Sequence, residues 1–192
     1  KRLPNKLLKK IGKKSVLEHS IDRAKKIKII KNIILCTSKL KQDDKITQIA
    51  KKKKIDVYRG HQIDVVERIY YASLNYELSH ILYITADNPF FDIFYAKKIL
   101  KKLIKNNFDL IRAFNLPYGT FCYGIKVSSL KKILEIKAIR ESTNWERYFT
   151  ETGLFNVHDL KIKNKNHRWS RLRLTLDYLE DLRFLRLIFK KL

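Results

Sequence analysis

The sequence predicts an open α/β fold, a mixed sheet with helices on both faces, and three observations lead there. Short apolar runs of strand length alternate with segments of helical periodicity. The strand candidates are apolar throughout rather than at every second residue, as in strands covered on both faces. Only five Gly and three Pro interrupt 192 residues, with no internal repeat and no Gly/Ser linker, so residues 1–192 read as one domain.

The elements follow in order. Residues 15–26, SVLEHSIDRAKK, place Val16, Leu17, Ser20, Ile21 and Ala24 on one helical face, with Ser15 as N-cap. NIILCTS (32–38) is a continuous apolar strand. DDKITQIAKKKK (43–54) is a helix whose acidic first turn suits its dipole. IDVYRG (55–60) is strand-like and DVVERIYYASLNY (64–76) helical. A strand at 81–86, a helix at 92–106 and a strand-like FDLIRAF (108–114) come next. The second half is less regular: FCYGIKV (121–127) reads as a strand and SSLKKILEI as a helix. RLRLTL (171–176) then reads as a strand and EDLRFLRLIFKKL (180–192) as a closing amphipathic helix.

Composition bounds the function. A hydrophobic content of 45% excludes wholesale disorder. No apolar run approaches the length of a membrane span and no signal-peptide pattern opens the chain, so a cytoplasmic location is expected. Cys36 and Cys122 suit a reducing compartment, with Cys36 packing as a small hydrophobe. A net charge of +24 would suit a polyanion, but 31 of the 43 basic residues are Lys, scattered along helical faces without interleaved aromatics. With Ile and Asn also abundant, this is the composition of an A/T-rich coding sequence, and a nucleic-acid partner is not expected. The chain contains no Met and opens on KRLPNK, so a fragment or processed form is expected. His19 falls in the first helix and His61, His80, His158 and His167 in apparent loops, without metal-ligand spacing. Neither a Walker-type phosphate loop nor a G-x-S-x-G turn occurs.

The chemistry concentrates at two acids. ILYITADNPFFD (81–92) is an apolar, β-branched run that stops on Asp87, and Asn88-Pro89 turns the chain at once. RLTLDYLEDL repeats the pattern, with Asp177 ending a strand before a helix. Ligands of open α/β sheets bind beyond the carboxyl ends of the strands. Two strand-end carboxylates on neighbouring strands can hold one Mg²⁺, which takes one or two carboxylates and completes its octahedron with water and phosphates. The competing reading makes both Asp helix N-caps. RLPNK adds Arg2 and Lys6 around a turn before a helix, a setting for phosphate oxygens or, alternatively, a solvated basic loop.

Taken in order, RLPNKLLKKIGKKSVLEHSIDRAK, IILCTSKLKQDD, VYRGHQIDVVERIYYA, YITADNPFFD and RLTLDYLEDLRFL resemble the cytidylyltransferases of the SpsF type. These spore-coat polysaccharide proteins are related to CMP-sialic acid and CMP-KDO synthetases. The family pattern runs A-R-x-x-S-x-R-L-P-x-K, a-T-S with D-D, f-R-G with D-V-x-x-R-Y, i-T-x-D-x-P and L-T-x-D-x-x-E-D. Five ordered blocks across residues 1–192 are far more specific than any one alone. The resemblance implies a three-layer, glycosyltransferase-A-like nucleotide-diphospho-sugar transferase domain with its first strand missing. It implies transfer of CMP from CTP to a sugar acceptor, with Mg²⁺ as cofactor, and a possible homodimer.

Matched residue by residue, the resemblance gives Arg2 and Lys6 to the triphosphate loop. It places Thr37, Ser38 and Asp44 on the nucleotide side of the crevice, with Arg59, Gly60, Asp64 and Arg68 bordering the nucleotide. Asp87 and Asp177 match the metal-binding acids, with Arg2, Lys6 and Asp87 as the catalytic set. The chain departs from the pattern in four places. The opening A-R-x-x-S is absent, Tyr178 and Leu179 stand where a Thr-Pro pair is frequent, Tyr123 stands where many members carry Glu beside the sugar, and ESTNWERYFTETGLF (141–155) replaces the usual E-H-V-T region. In that segment Trp145, Tyr148 and Phe149 suit a core or dimer contact as well as a sugar platform. Two other functions compete: a non-catalytic basic α/β protein binding polyanions, and a glycosyltransferase using a finished nucleotide sugar. The latter family usually carries D-x-D on one loop, whereas ADN offers Asp87 alone.

Overall fold

The computed structural model describes residues 2–113, 115–138, 144–169 and 171–191. Phe114 at the end of one expected strand, Glu141–Thr143 of the 141–155 segment and the final Leu192 lie outside the described residues.

A small hairpin, β1 (Lys10–Ile11) and β2 (Lys14–Ser15), leads into α1 (Val16–Ala24). Ser15 caps that helix in a full capping box, its hydroxyl accepting from Glu18 N while Glu18 accepts from Ser15 N. Then come β3 (Ile34–Ser38), α2 (Asp44–Lys52), β4 (Asp56–Gly60), α3 (Val65–Asn75), β5 (His80–Tyr83) and α4 (Ile93–Lys105). The second half adds β6 (Leu110–Ala113), β7 (Tyr123–Lys126), α5 (Val127–Ile136), α6 (Arg147–Glu151), β8 (Val157–Leu160) and α7 (Leu179–Lys191). Among the described residues no helix is long and apolar enough to cross a membrane.

The sheet is mixed, as expected. Strands β3 and β4 pair in parallel, and β5, β7, β6 and β8 form a four-stranded sheet in that order. In it β7 runs antiparallel to both β5 and β6, and β8 parallel to β6. Adjacent residues show why the strands are apolar throughout. Leu110 and Ile111 are both fully buried, yet Leu110 packs with α3 and α5 and Ile111 with α4. Neighbouring side chains on a strand point to opposite faces, so both faces are covered and three layers result. Trp145 and Phe149 are buried in the α3/α5 core with Tyr148 packed against them, so of the two earlier readings the core contact holds.

Three expectations are corrected. The run 171–176 is no strand. It makes a single bridge, Arg173 to Tyr118, because Leu172 O and Leu174 N both pair with Tyr118 and Leu176 N then donates to Asp87 O. The segment is thus shared between two loops rather than laddered along one strand. The strand expected at 81–86 pairs only as far as Tyr83, and residues 84–87 leave the ladder before Asp87. His80 and His158 are in β5 and β8 rather than in loops, and His167 closes a 3-10 turn.

Candidate active site

Two carboxylates meet one ammonium. Asp87 sits in the turn after β5, where Ala86 O accepts from the Ser20 hydroxyl (2.9 Å) and Asn88 Nδ2 donates to Thr85 Oγ1 (2.6 Å). Asp177 sits just before α7, and Leu3 N donates to its carbonyl (2.7 Å). Lys6 opens a 3-10 turn after Asn5, whose left-handed φ of 53° turns the chain sharply. Its Nζ donates to an Asp87 carboxylate oxygen and, at 2.8 Å, to Asp177 Oδ1. The two acids lie 81 and 171 positions from Lys6 in sequence. Tertiary structure alone brings them together.

Arg173 and Asp181 complete the cluster. Arg173 donates to Asp177 (2.6 Å) and to Asp181 (2.8 Å). Asp181 Oδ2 also accepts from Asp177 N and Tyr178 N, both at 2.8 Å, satisfying amides at the start of α7. With two cations against three carboxylates, the cluster keeps one surplus negative charge. Burial alone would raise the Asp177 carboxyl, but Lys6 and Arg173 outweigh it and hold the group below the usual carboxylate range. Burial likewise opposes the Lys6 ammonium, and the two acids more than offset it, so its pKa is raised.

Linkage follows from these directions. A depressed carboxyl contributes stability above its ordinary pKa of about 4, lost as the pH falls through the folded value. A raised lysine contributes below its ordinary value of about 10.4, lost as the pH rises through the folded one. The charged network is therefore whole across the neutral range.

The donor set fits a divalent ion. Asp87 and Asp177 already converge on one cation, and two carboxylates are what Mg²⁺ takes from protein when phosphates and water supply the rest. Among the described residues no group of three or more His, Cys, Asp or Glu is placed to enclose a metal. The geometry thus suits an ion shared with a substrate rather than one caged by protein.

The other expected residues divide. Thr37 and Ser38 end β3 and are buried, and their hydroxyls donate to one oxygen of Asp43, at 2.7 Å from Thr37. Burial would raise Asp43, but these bonds hold it low. Asp44, the acid expected there, instead pairs with Arg59 (2.7 Å). Arg59 is spent on its own loop, donating also to Ser38 O (2.9 Å) and Leu40 O (2.7 Å), so it shapes the loop after β3. Gly60 ends β4 where a Cβ would crowd the Tyr58 ring at 2.8 Å. Asp64, only 1% exposed, caps α3 through Glu67 N and pairs with Lys137, so both its oxygens are engaged within the fold. Arg68 donates to His61 O (2.6 Å) and Gln62 O (3.2 Å). Arg2 is exposed.

Sequence reasoning missed Asp43, Arg173 and Asp181. Asp43 was hidden by its twin in DD, and Asp181 carried a signal, an acid in the first turn of a helix behind Asp177. Arg173 carried none. It lies over the Tyr118 and Tyr178 rings at 5.1 and 5.7 Å from their centroids, and Tyr118 is half exposed. Tyr118 continues through Phe121 to Tyr123, which stacks edge-on with Trp145 at 5.3 Å.

Gly119 holds this ledge against the Asp177 segment. At φ +92° it packs where a Cβ would overlap Thr175 N. Gly119→Ala is expected to cost on the order of 2–3 kcal/mol, since backbone cannot yield as a flexible side chain does. Urea unfolding checks this, and a cost below about 0.5 kcal/mol would contradict the close packing.

Comparison with known proteins identifies the family. Residues 1–172 match the family model described as cytidylyltransferase. An uncharacterized protein of Methanocaldococcus jannaschii is 33% identical over 185 residues, 94% of this chain and 75% of that protein. The spore coat polysaccharide biosynthesis protein SpsF of Bacillus subtilis is 25% identical over 203 residues, 99% of this chain and 82% of SpsF. Among solved structures, a cytidylyltransferase from Leptospira borgpetersenii superposes with a TM-score of 0.92 at 24% identity, over all of this chain and 82% of that one. A CMP:2-keto-3-deoxy-manno-octonic acid synthetase complexed with CTP superposes with a TM-score of 0.76 at 12% identity, over 99% of this chain and 93% of that one. The match over most of its length, on a mixed α/β fold with paired acids at the site, places the chain in the cytidylyltransferase family of CTP-dependent nucleotidyltransferases.

Proposed function

We propose that the protein transfers CMP from CTP to a hydroxyl of a nonulosonic-acid-like or other surface-polysaccharide sugar, with release of pyrophosphate. The observation that carries this reading is the convergence of Asp87 and Asp177 on Lys6. In the reaction the acceptor oxygen attacks the α-phosphorus, the bond to the pyrophosphate oxygen breaks, and the hydroxyl proton is released. Such chemistry asks the protein for alignment and neutralisation of charge more than for covalent help.

Asp87 and Asp177 would hold Mg²⁺, which when bound would neutralise phosphate charge and lower the pKa of the acceptor hydroxyl. Lys6 then has two roles. Without nucleotide it keeps the acids from repelling one another, and with nucleotide its ammonium turns to the departing pyrophosphate, beside Arg2. Thr37 and Ser38, at the end of β3 where Asp43 and Arg59 fix the loop that follows, would border the nucleotide. On the other side the half-exposed Tyr118, backed by Arg173, offers a flat aromatic and cationic ledge suited to a sugar that carries a carboxylate.

Thermal unfolding with CTP, UTP, ATP and GTP, each with and without Mg²⁺, tests the reading. A ligand that binds only the native state at a hundredfold excess over Kd adds about 2.7 kcal/mol. For a chain of this size that corresponds to roughly 5–10 °C in Tm. The shift is expected for CTP with Mg²⁺ and not for the other nucleotides. An equal response to all four nucleotides, or to none, would refute it.

A further inference from the structure

Between Leu160 and Asp177 the chain carries six cations and no acid: Lys161, Lys163, Lys165, Arg168, Arg171 and Arg173. Arg173 belongs to the site through Asp177 and Asp181, and the other five are exposed. These cations flank exposed rings. Trp169, between Arg168 and Arg171, is 61% exposed. Phe94, at the start of α4, is 52% exposed, and the Lys98 ammonium lies 4.3 Å from its ring centroid. The two rings belong to one surface. Phe94 meets Tyr95 edge-on at 5.1 Å, and the Tyr95 hydroxyl shares a hydrogen bond with Nδ1 of His167 (2.9 Å), two residues before Trp169.

The loop that presents Trp169 is built rather than loose. Trp169 Nε1 donates to Asn166 O (2.8 Å), Arg168 Nε donates to Ile162 O (2.8 Å), and Asn164 Oδ1 accepts from Asn166 N (2.9 Å). Ile162 is 3% exposed and anchors the loop in the core beneath α4. The indole thus holds its one donor inside the loop and leaves apolar surface in water. Such a ring gains by leaving water and needs no new partner. Asp92, the acid beside Phe94, is engaged as the α4 cap, accepting from Phe94 N (2.8 Å) and Tyr95 N (3.0 Å).

We propose that this face docks on an anionic lipid surface, with Trp169 and Phe94 at the boundary of headgroups and acyl chains and the cations on the headgroup phosphates. Exposed apolar rings among Lys and Arg suit that boundary, and each basic residue near the surface adds to the attraction. A single-stranded nucleic acid fits less well. Its bases stack on rings that follow one basic groove, whereas the bonded His167–Tyr95 pair separates these two. The loop also runs on into the Tyr118–Arg173 ledge, because Leu172 N donates to Trp169 O (2.9 Å) and Leu172 O accepts from Tyr118 N (2.8 Å). Docking would set that ledge beside the lipid. What this means for the acceptor rests on the proposed function; the docking does not, and it is measured without nucleotide or sugar.

Co-sedimentation with vesicles of phosphatidylcholine, alone or mixed with phosphatidylglycerol, tests the proposal, with Trp fluorescence as a second readout. The chain has two Trp and Trp145 is 5% exposed, so a blue shift and shielding from acrylamide report Trp169. Binding is expected to the mixed vesicles only, with that shift, and to weaken as salt rises. Two charge-matched variants locate the surface. Lys161→Gln/Lys163→Gln/Lys165→Gln is expected to weaken binding about 100-fold. Lys26→Gln/Lys51→Gln/Lys52→Gln, which removes three exposed charges elsewhere, is expected to change it less than about threefold. Trp169→Ala should cost about tenfold. Equal losses in the two triple variants would assign the binding to the net charge of the chain and overturn the proposal. So would the absence of vesicle binding, binding without a change at Trp169, or tighter binding of oligo(dT) than of the mixed vesicles.

Discussion

Asp177→Asn is expected to lower CMP transfer by about 10³-fold while leaving the fold intact, the scale seen when a preorganised charge at a reacting phosphate is removed. The amide keeps the shape that packs between Lys6 and Arg173 but surrenders the charge that both cations read. Asp87→Asn should behave alike, because the two acids act on one point in space. Pyrophosphate release from CTP gives one measurement, and the Mg²⁺-dependent CTP shift in Tm gives a second that needs no acceptor sugar. Near-normal turnover in both variants would remove Asp87 and Asp177 from the site and leave them as turn and cap residues.

Asp64→Ala is expected to be the most destabilising single change outside the site, at about 3–5 kcal/mol. It strips the cap from α3 and leaves the Lys137 ammonium, its side chain only 9% exposed, without a counter-charge between α3 and α5. In a domain of this size the loss lowers Tm by roughly 10 °C. The double variant Asp64→Leu/Lys137→Met should recover much of it, since the cost lies in the orphaned charge rather than in the pair. A single-variant cost under about 1 kcal/mol, measured by urea unfolding, would show that the ammonium reaches water.

These two predictions act on acids that local chemistry supports unequally: Asp87 and Asp177 most, and Asp64, an acid opening a helix, least. Asp64 and Asp87 each precede a turn or helix, and the family pattern places Asp64 at the border of the nucleotide and Asp87 among the metal-binding acids. Burial divides them: Asp64 is sealed between two helices, and Asp87 opens onto the crevice. The same holds for the pair at 43 and 44. The pattern pointed to the second, and the first is the one on which the β3 hydroxyls close.

The sequence by itself determined the run of elements from α1 to α5 and the closing α7, with helices on both faces of the sheet, and it singled out Lys6, Asp87 and Asp177; the β1–β2 hairpin, α6 and β8 went unread. Periodicity and capping are local properties, written within about a dozen residues, and the five blocks keep their order along the chain. Strand ends were less legible, because where a ladder stops depends on its neighbour. Residues 171–176 have the composition of a strand but find Tyr118 and Asp87 as partners instead. Only the tertiary structure decided that Asp87 and Asp177 share one cation and that Arg173 and Asp181 brace them. Those are distances between residues far apart in the chain, and they are fixed by how the layers pack, which no local pattern encodes.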